Sequence, residues 1–424
     1  MRRVVILGAG FAGSTVARRL GRDRDRLAVT LVDPRNFMLY TPLLPEAASG
    51  TVEPRHAVVP VRAMCPRADL VLGRVEAADP IAASVSVRTE AGGERTLRYD
   101  DLVVALGAVT RTAPVPGLAE HGLGFKTIGQ AIGLRNRVLG QLERAASISD
   151  PAERERLLTF VFVGGGYAGV EALAELEDLA RDASRFYPAL RDVRRRWLLV
   201  EAADGILHEL PGRLAAYASR QLEGRGVELV VRSGLASADA GGVTLADGSR
   251  IPAATLVWTA GVRANPALER LGLPLDEHGR LAVDAHLRVT GHANVWALGD
   301  AARVDNPLGH GRPDPPTCQH ALRQARRLAG NLSAVAAGGE PQPYAYRMRG
   351  QVATLGRHKG VAEIYGLRLR GFPGWWITRT YHLYQLPLWS RRLRVVSDWT
   401  VGLLFRRDTV ELGSFPAEPL EPPP

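Results

Sequence analysis

The sequence predicts an α/β fold in which one strand–loop–helix–strand unit is built twice, on three observations. An apolar run at 3–7 meets the loop Gly8-Ala9-Gly10-Phe11-Ala12-Gly13, and a second run at 158–163 meets Gly164-Gly165-Gly166-Tyr167-Ala168-Gly169 with its glycines at the same mutual spacing. Each unit is also followed by a later apolar run ending in glycine, Leu102 to Gly107 and Leu256 to Gly261. Signals that recur at fixed offsets mark an internal duplication.

Taken in order, residues 3–7 read as a strand, Ser14 to Leu20 as a helix, and Leu27 to Val32 as a second strand ending at Asp33. In the second unit, 158–163 is the strand, Val170 to Ala183 the helix, and Trp197 to Val200 the next strand, ending at Glu201. Asn294 to Asp300 repeats the buried-strand pattern, Gln319 to Leu332 reads as a helix, and this late segment is expected to return to the first domain. Beyond residue 340 the chain becomes arginine- and aromatic-rich, and Pro416 and the tail 419–424 are expected to be disordered.

With 424 residues the chain is long enough for two or three domains with full cores. No run of about 18 uninterrupted apolar residues is present to cross a bilayer. The N-terminal apolar stretch stops at Gly8 and reads as a strand rather than a signal peptide. Cys65 and Cys318 are far apart in sequence, which points away from a disulfide scaffold or a zinc site and toward a cytoplasmic protein. The formal charge of +10 is compatible with nucleic acid, an anionic membrane or acidic ligands, and it is carried by arginine, since Lys126 and Lys359 are the only lysines.

The glycine loops carry the chemistry. Gly8 permits the tight turn, Gly10 lets the backbone approach a pyrophosphate, and Gly13 lets the helix pack on its strand, so that a diphosphate sits on the free N–H groups at the positive helix end. Gly164, Gly166 and Gly169 take the same three roles. Asp33, about 20 residues after Gly13, is placed to bond a ribose hydroxyl. Glu201 ends the equivalent second strand; a carboxylate there accepts from the 2′-hydroxyl of NAD and repels the 2′-phosphate of NADP, and no arginine follows in Ala202-Ala203-Asp204. NADH is therefore expected over NADPH. The turn Gly299-Asp300 is placed to bond the ribityl chain of a flavin, with the following helix pointing its N-terminus at the ring; Asp300 is equally readable as a helix N-cap.

These motifs resemble the two-dinucleotide-domain flavoproteins and, more narrowly, the type II NADH:quinone oxidoreductases, which do not pump protons. The resemblance covers almost the whole chain: Gly8 to Gly13, Tyr40-Thr-Pro-Leu-Leu-Pro-Glu46, Leu106-Gly107-Ala108, Gly164 to Glu171, Ala297-Leu-Gly-Asp300, and Gly350-Gln-Val-Ala-Thr-Leu-Gly356, the last being the most discriminating. It implies two Rossmann-like dinucleotide-binding domains, a discontinuous FAD domain at 1–115 and 286–340 and an NADH domain at 116–285, followed by a membrane-associating region at 341–424. It implies FAD as cofactor, held by Gly8, Gly10, Phe11, Ala12, Gly13, Asp33, Gly107 and Asp300. NADH is implied as substrate, on Gly164, Gly166, Gly169, Glu201 and Gly261. It further implies that Glu171 lies near the nicotinamide and flavin, with hydride passing from NADH to the flavin N5 and two electrons then to a membrane quinone. The family's quinone-site helix reads approximately Ala-Gln-x-Ala-x-Gln; Cys318-Gln319-His320-Ala321-Leu322-Arg323 keeps Gln319 and Ala321 but has Cys318 for alanine and Arg323 for glutamine. No metal is implied.

Alternatives remain open at this point. The absence of a cysteine pair in 34–64 disfavours a disulfide reductase, but Cys318, otherwise readable as a small buried hydrophobe, leaves room for sulfide:quinone chemistry. A soluble NADH-dependent reductase and a redox-sensing FAD- and NADH-binding protein without a fast acceptor are the other readings.

In the C-terminal segment, Arg379, His382 and Gln385 fall three apart as a narrow polar stripe on an otherwise apolar helix. Leu393, Val396, Trp399 and Leu403 follow at helical spacing, with Arg391, Arg392, Arg394, Arg406 and Arg407 around them. Tryptophan with arginine suits a headgroup interface, so peripheral attachment to the cytoplasmic face of the cell membrane is expected. The competing reading is packing against the protein's own core or a second subunit as a homodimer. Nucleic acid is not expected, because the basic residues are mixed with a large apolar face.

Overall fold

The run at 4–7 is buried completely, with Val4, Ile6 and Leu7 at 0% exposure, because it lies at the centre of a parallel sheet whose two faces must both be covered. The computed structural model describes residues 1–309, 311–413 and 420. Pro416, Pro419 and 421–424, where disorder is expected, lie outside the described residues.

The chain forms two units, the first from Met1–Leu39, Val58–Val109 and Val262–Met348, the second from Tyr40–Ala57, Thr110–Gly261 and Arg349 onward. In the first, five parallel strands run in the order Val295–Ala297, Asp101–Val104, Arg2–Leu7, Leu27–Asp33, Asp69–Asp79. A hairpin, Ser84–Thr89 with Glu94–Arg98, extends this sheet antiparallel. The helices Phe11–Leu20 and Cys318–Ala336 pack on each other.

The second unit has five parallel strands in the corresponding order, Gly122–Gly124, Thr255–Trp258, Thr159–Val163, Arg196–Glu201, Val227–Val231. In both sheets the strand that carries the glycine loop is central among the parallel strands; the chain builds out from it on one side first and returns later to its other side. Such a switch point opens a crevice at the carboxyl ends of the strands, where ligands of doubly wound folds bind.

The short helix Leu44–Ala48 packs on the helices Tyr167–Ala183 and Ile128–Ser147. After residue 349 the second unit continues as a three-stranded antiparallel sheet, Gly350–Thr354, Gly360–Ile364 and Leu367–Gly371, covered by the helix Phe372–Gln385 and followed by the helix Trp389–Leu404.

The polar stripe of Phe372–Gln385 is largely engaged within the unit: Arg379 bonds the buried carboxylate of Glu46 (3.0 Å), and burial pushes the His382 imidazole down to about 4, so it is neutral. One expectation for this region is corrected: Arg407 is not a headgroup arginine. Its side chain is 5% exposed and reaches Glu175 Oε2 (3.0 Å) and Asp178 Oδ2 (3.7 Å). The backbone that follows is held by Arg135, whose Nη2 donates to the carbonyls of Asp408 (2.7 Å) and Val410 (3.1 Å). Asn136 accepts from Leu412 N (2.9 Å) and donates to the Gly413 carbonyl (3.2 Å). Spacing alone could not tell the buried arginines from the exposed ones, because both lie among aromatics.

Removing a buried partner leaves the opposing charge uncompensated. Arg407→Ala is expected to lower stability by about 3 kcal/mol, whereas Arg394→Ala, at an exposed position, is expected to cost less than about 0.5 kcal/mol. The unfolding midpoints of the two variants check this contrast.

Candidate active site

Each unit presents the same cradle. Gly8 has φ +98° and donates to the Val32 carbonyl (2.8 Å); Gly164 has φ +114° and donates to the Val200 carbonyl (2.9 Å). Both are left-handed positions that an L side chain rarely adopts. A Cβ on Gly13 would lie 1.9 Å from the Gly8 carbonyl oxygen, and one on Gly169 would lie 2.0 Å from that of Gly164, so both helices approach their loops as only glycine allows. In front of Gly10 and Gly166 a Cβ would meet nothing within 4 Å. Open space there, facing first-turn N–H groups that have no acceptor within the helix, fits a pyrophosphate at both loops.

The acids repeat as well. Asp33 is 5% exposed and accepts from Ala9 N and Arg35 N, both at 2.8 Å. Glu201 accepts from Gly165 N (2.5 Å) and Ala203 N (2.9 Å). Each carboxylate thus braces its own loop through one oxygen and its own turn through the other. The remaining lone pairs can accept from a ribose hydroxyl.

Within the first unit, the Gly299–Ala301 turn follows the strand Val295–Ala297, with Gly299 at φ +67°. A Cβ on Gly299 would sit 3.4 Å from that of Ala12 and 3.7 Å from that of Ala321, so the turn lies between the first glycine-loop helix and the helix Cys318–Ala336. Asp300 is not that helix's N-cap. Thr317 is, its Oγ1 accepting from His320 N (3.4 Å), because the chain makes a long excursion between Asp300 and Cys318. Gly107 is a positive-φ turn in this unit, where Asn265 donates to the Leu106 carbonyl (3.2 Å); Gly261 is its counterpart in the second unit, accepting from Arg111 N (3.1 Å).

Gln319 and Arg323 lie on the first turns of Cys318–Ala336 and share a partner. Gln319 Oε1 is 3.5 Å from the Tyr346 hydroxyl, and the Arg323 guanidinium lies 5.2 Å from the centre of the Tyr346 ring. Cys318 is half-buried rather than fully buried. Cys65 is buried, with its thiol on the Ser14 carbonyl (3.3 Å), and burial pushes it up to about 11, which leaves little thiolate to react.

In the second unit, Glu171 lies one turn into the helix Tyr167–Ala183 and accepts from Thr354 N (2.8 Å) and Thr354 Oγ1 (3.2 Å). Desolvation raises its carboxyl to about 8 against those two hydrogen bonds, helped by the neighbouring charges of Glu175 and Glu46. Glu175 accepts from Ser49 Oγ (2.9 Å). Glu46 is likewise raised, by burial first, although Arg379 and the Trp399 indole (2.6 Å) both donate to it. Sequence reasoning thus missed Glu175 and Asp178, the pairing of Thr354 with Glu171, and the grouping of Glu46 with Arg379 and Trp399. One signal was available: Glu171, Glu175, Asp178 and Asp182 recur at one helical face, which makes an acidic stripe.

Residues 2–325 match the family model described as pyridine nucleotide-disulphide oxidoreductase. The chain is 31% identical over 421 residues to the type II NADH:quinone oxidoreductase Ndh of Mycobacterium tuberculosis, covering 96% of this chain and 89% of that one. It is 30% identical over 406 residues to the demethylphylloquinone reductase NdbB of Synechocystis, covering 94% and 95% respectively. Among solved structures it is similar to NDH2 from Plasmodium falciparum in complex with NADH, with a TM-score of 0.90 at 18% identity over 96% of this chain and 99% of that one. The chain belongs to the pyridine nucleotide-disulphide oxidoreductase family and, within it, to the type II NADH:quinone oxidoreductases.

Proposed function

We propose that this protein oxidises NADH and reduces a quinone through bound FAD, and that the first cradle holds the FAD and the second the NADH. Bound FAD supplies the two-electron chemistry, accepting hydride from NADH and passing electrons to the quinone. The observation that carries the reading is the pair of equivalent cradles, each with an open pyrophosphate seat and a strand-end carboxylate braced against its loop. Gly8, Gly10, Phe11, Ala12, Gly13, Asp33, Gly107 and Asp300 are proposed to hold FAD. Gly164, Gly166, Gly169, Glu201 and Gly261 are proposed for NADH, the Glu201 carboxylate selecting against a 2′-phosphate.

The work left to the chain is to orient, to exclude water and to handle protons. Quinone reduction takes up two protons. Glu171, protonated below about pH 8, holds one on a carboxyl fixed in orientation by Thr354. Gln319, steadied by Tyr346, is proposed to face the quinone. Arg323 lies over the Tyr346 ring, which supports its seat beside an apolar acceptor despite its charge. The acceptors named for the relatives differ, ubiquinone in Arabidopsis thaliana and demethylphylloquinone in Synechocystis, so the proposal stops at the quinone class.

Peripheral attachment to the cytoplasmic face of the cell membrane belongs to the same proposal. Among the described residues no helix is long and apolar enough to cross a membrane. The helix Trp389–Leu404 exposes Trp389 (75%), Leu393 (63%) and Leu404 (77%), with Phe405 (67%) just beyond it. Arg394 and Arg406 are exposed to anionic headgroups, each contributing about 1 kcal/mol near such a surface, whereas Arg391 and Arg392 are half-buried and donate to the carbonyls of Arg55 and of Leu386 and Tyr384. An exposed apolar face rimmed by arginine supports an interfacial helix.

Three outcomes are expected. Anaerobic NADH bleaches the flavin absorbance of the purified protein, and a soluble quinone analogue restores it; bleaching without restoration would remove quinone from the proposal. The rate of quinone-dependent reoxidation falls as pH rises through about 8, where Glu171 loses its proton, and Glu171→Gln flattens that profile in stopped-flow measurements. The triple variant Trp389→Ser, Leu393→Ser, Leu404→Ser leaves NADH-dependent bleaching intact but loses sedimentation with anionic vesicles. Retained sedimentation would overturn the membrane reading, and a dimer-to-monomer change instead would assign the face to a second copy.

A further inference from the structure

Deep in the first unit lies a buried carboxylate that the proposed chemistry does not use. Asp314 is 8% exposed, precedes the helix Cys318–Ala336, and takes hydrogen bonds from Asn306 Nδ2 (2.8 Å), Gln324 Nε2 (2.9 Å) and Tyr344 OH (2.8 Å). His320 Nε2 lies 3.4 Å away, its other ring nitrogen on Thr317 Oγ1 (2.8 Å). Asn306 is itself fixed, donating to the Tyr346 carbonyl (2.6 Å) and accepting from Tyr346 N (3.2 Å).

The consequence runs through Gln324, which is 2% exposed and has both ends of its amide engaged. Its Nε2 faces Asp314, and its Oε1 accepts from Gly299 N at 2.7 Å. A carboxylate can only accept, so Asp314 dictates which end of the amide points toward it and therefore which end points toward Gly299. We propose that Asp314 is the positioning residue of the Gly299–Asp300 turn: by orienting the Gln324 amide it holds that turn in the conformation that grips the flavin. This rests on the proposed seat of FAD in the first unit. Asp314 reaches the turn only through Gln324.

The proposal is tested by reversing hydrogen-bond polarity. In Asp314→Asn the amide oxygen at the Oδ1 position can still serve Asn306, and the N–H₂ at the Oδ2 position faces both Gln324 and the Tyr344 hydroxyl, which can turn to accept. The Gln324 amide then turns its oxygen toward residue 314 and its own N–H₂ toward the Gly299 N–H, donor against donor. In the double variant Asp314→Asn with Gln324→Glu, a carboxylate at 324 accepts from both sides and the net charge is unchanged, so the Gly299 bond is restored.

Flavin release from the full-length holoprotein on dilution, followed by the fluorescence of freed FAD, reads the effect. Asp314→Asn is expected to release FAD about tenfold faster than the unsubstituted protein, as for one buried hydrogen bond left unmade, and the double variant to return to within about twofold of it. Release from Asp314→Asn at the original rate overturns the proposal. So does equal loss from single and double variants, since that would mean the site needs only its original shape. If Asp314→Asn does not fold, recovery of flavin-loaded double variant supports the proposal and its failure to fold overturns it. Unsubstituted protein that carries no FAD and takes none up overturns the flavin seat itself, and the proposal with it, a result distinct from all the others.

Discussion

A carboxylate at the end of the second strand, accepting an N–H from the glycine loop, is the constraint on which both cradles depend. Asp33 makes this bond to Ala9 and Glu201 makes it to Gly165. A glycine-rich loop is entropically costly to hold in one conformation. A hydrogen bond to a charged acceptor, worth about 1.5–3 kcal/mol, offsets much of that cost at the place where a ligand's phosphates must meet ordered N–H groups. The acid proposed to sort NAD from NADP through the ribose is therefore also part of the loop's own frame.

A second constraint is the negative charge gathered on the helix Tyr167–Ala183. Its acidic stripe begins at Glu171, and the positions farther along are matched by arginine: Arg407 lies against Glu175 and Asp178, and Arg225 against Asp178 (3.0 Å) with a further contact to Glu177. Among the described residues no arginine pairs with Glu171, which accepts from Thr354 instead. Burial, with no arginine beside it to offset it, raises Glu171 to about 8, in a range useful for proton exchange at neutral pH. The matched acids secure the fold, and the unmatched one is the acid proposed for chemistry.

The C-terminal arginines divide along the same line. Arg379 and Arg407 point inward to Glu46 and Glu175, while Arg394 and Arg406 remain outside with the exposed face of Trp389–Leu404. One short stretch of chain thus closes a buried ion-pair cluster and exposes an apolar face. Truncating it would disturb the core as well as the surface, so point substitutions at exposed apolar residues are the cleaner probe of attachment.

By itself the sequence determined the duplicated strand–loop–helix plan and the two strand-end acids, and it carried the expectation of NAD, because each is a local pattern: a run of apolar residues, glycines at fixed spacing, one acid at a fixed offset. Glu171 and Gln319 were legible only through family resemblance, since an acid or an amide on a helix is locally unremarkable. Tertiary structure decided the rest. Thr354 meets Glu171 across 183 residues, Arg407 meets Glu175 across 232, and Asp314 orients an amide whose other end holds Gly299. Hydrogen bonds between distant segments leave no periodicity in the chain, and whether an arginine is buried or exposed depends on which acid the fold brings to it. The two glycine loops could be read as written; what surrounds them had to be folded first.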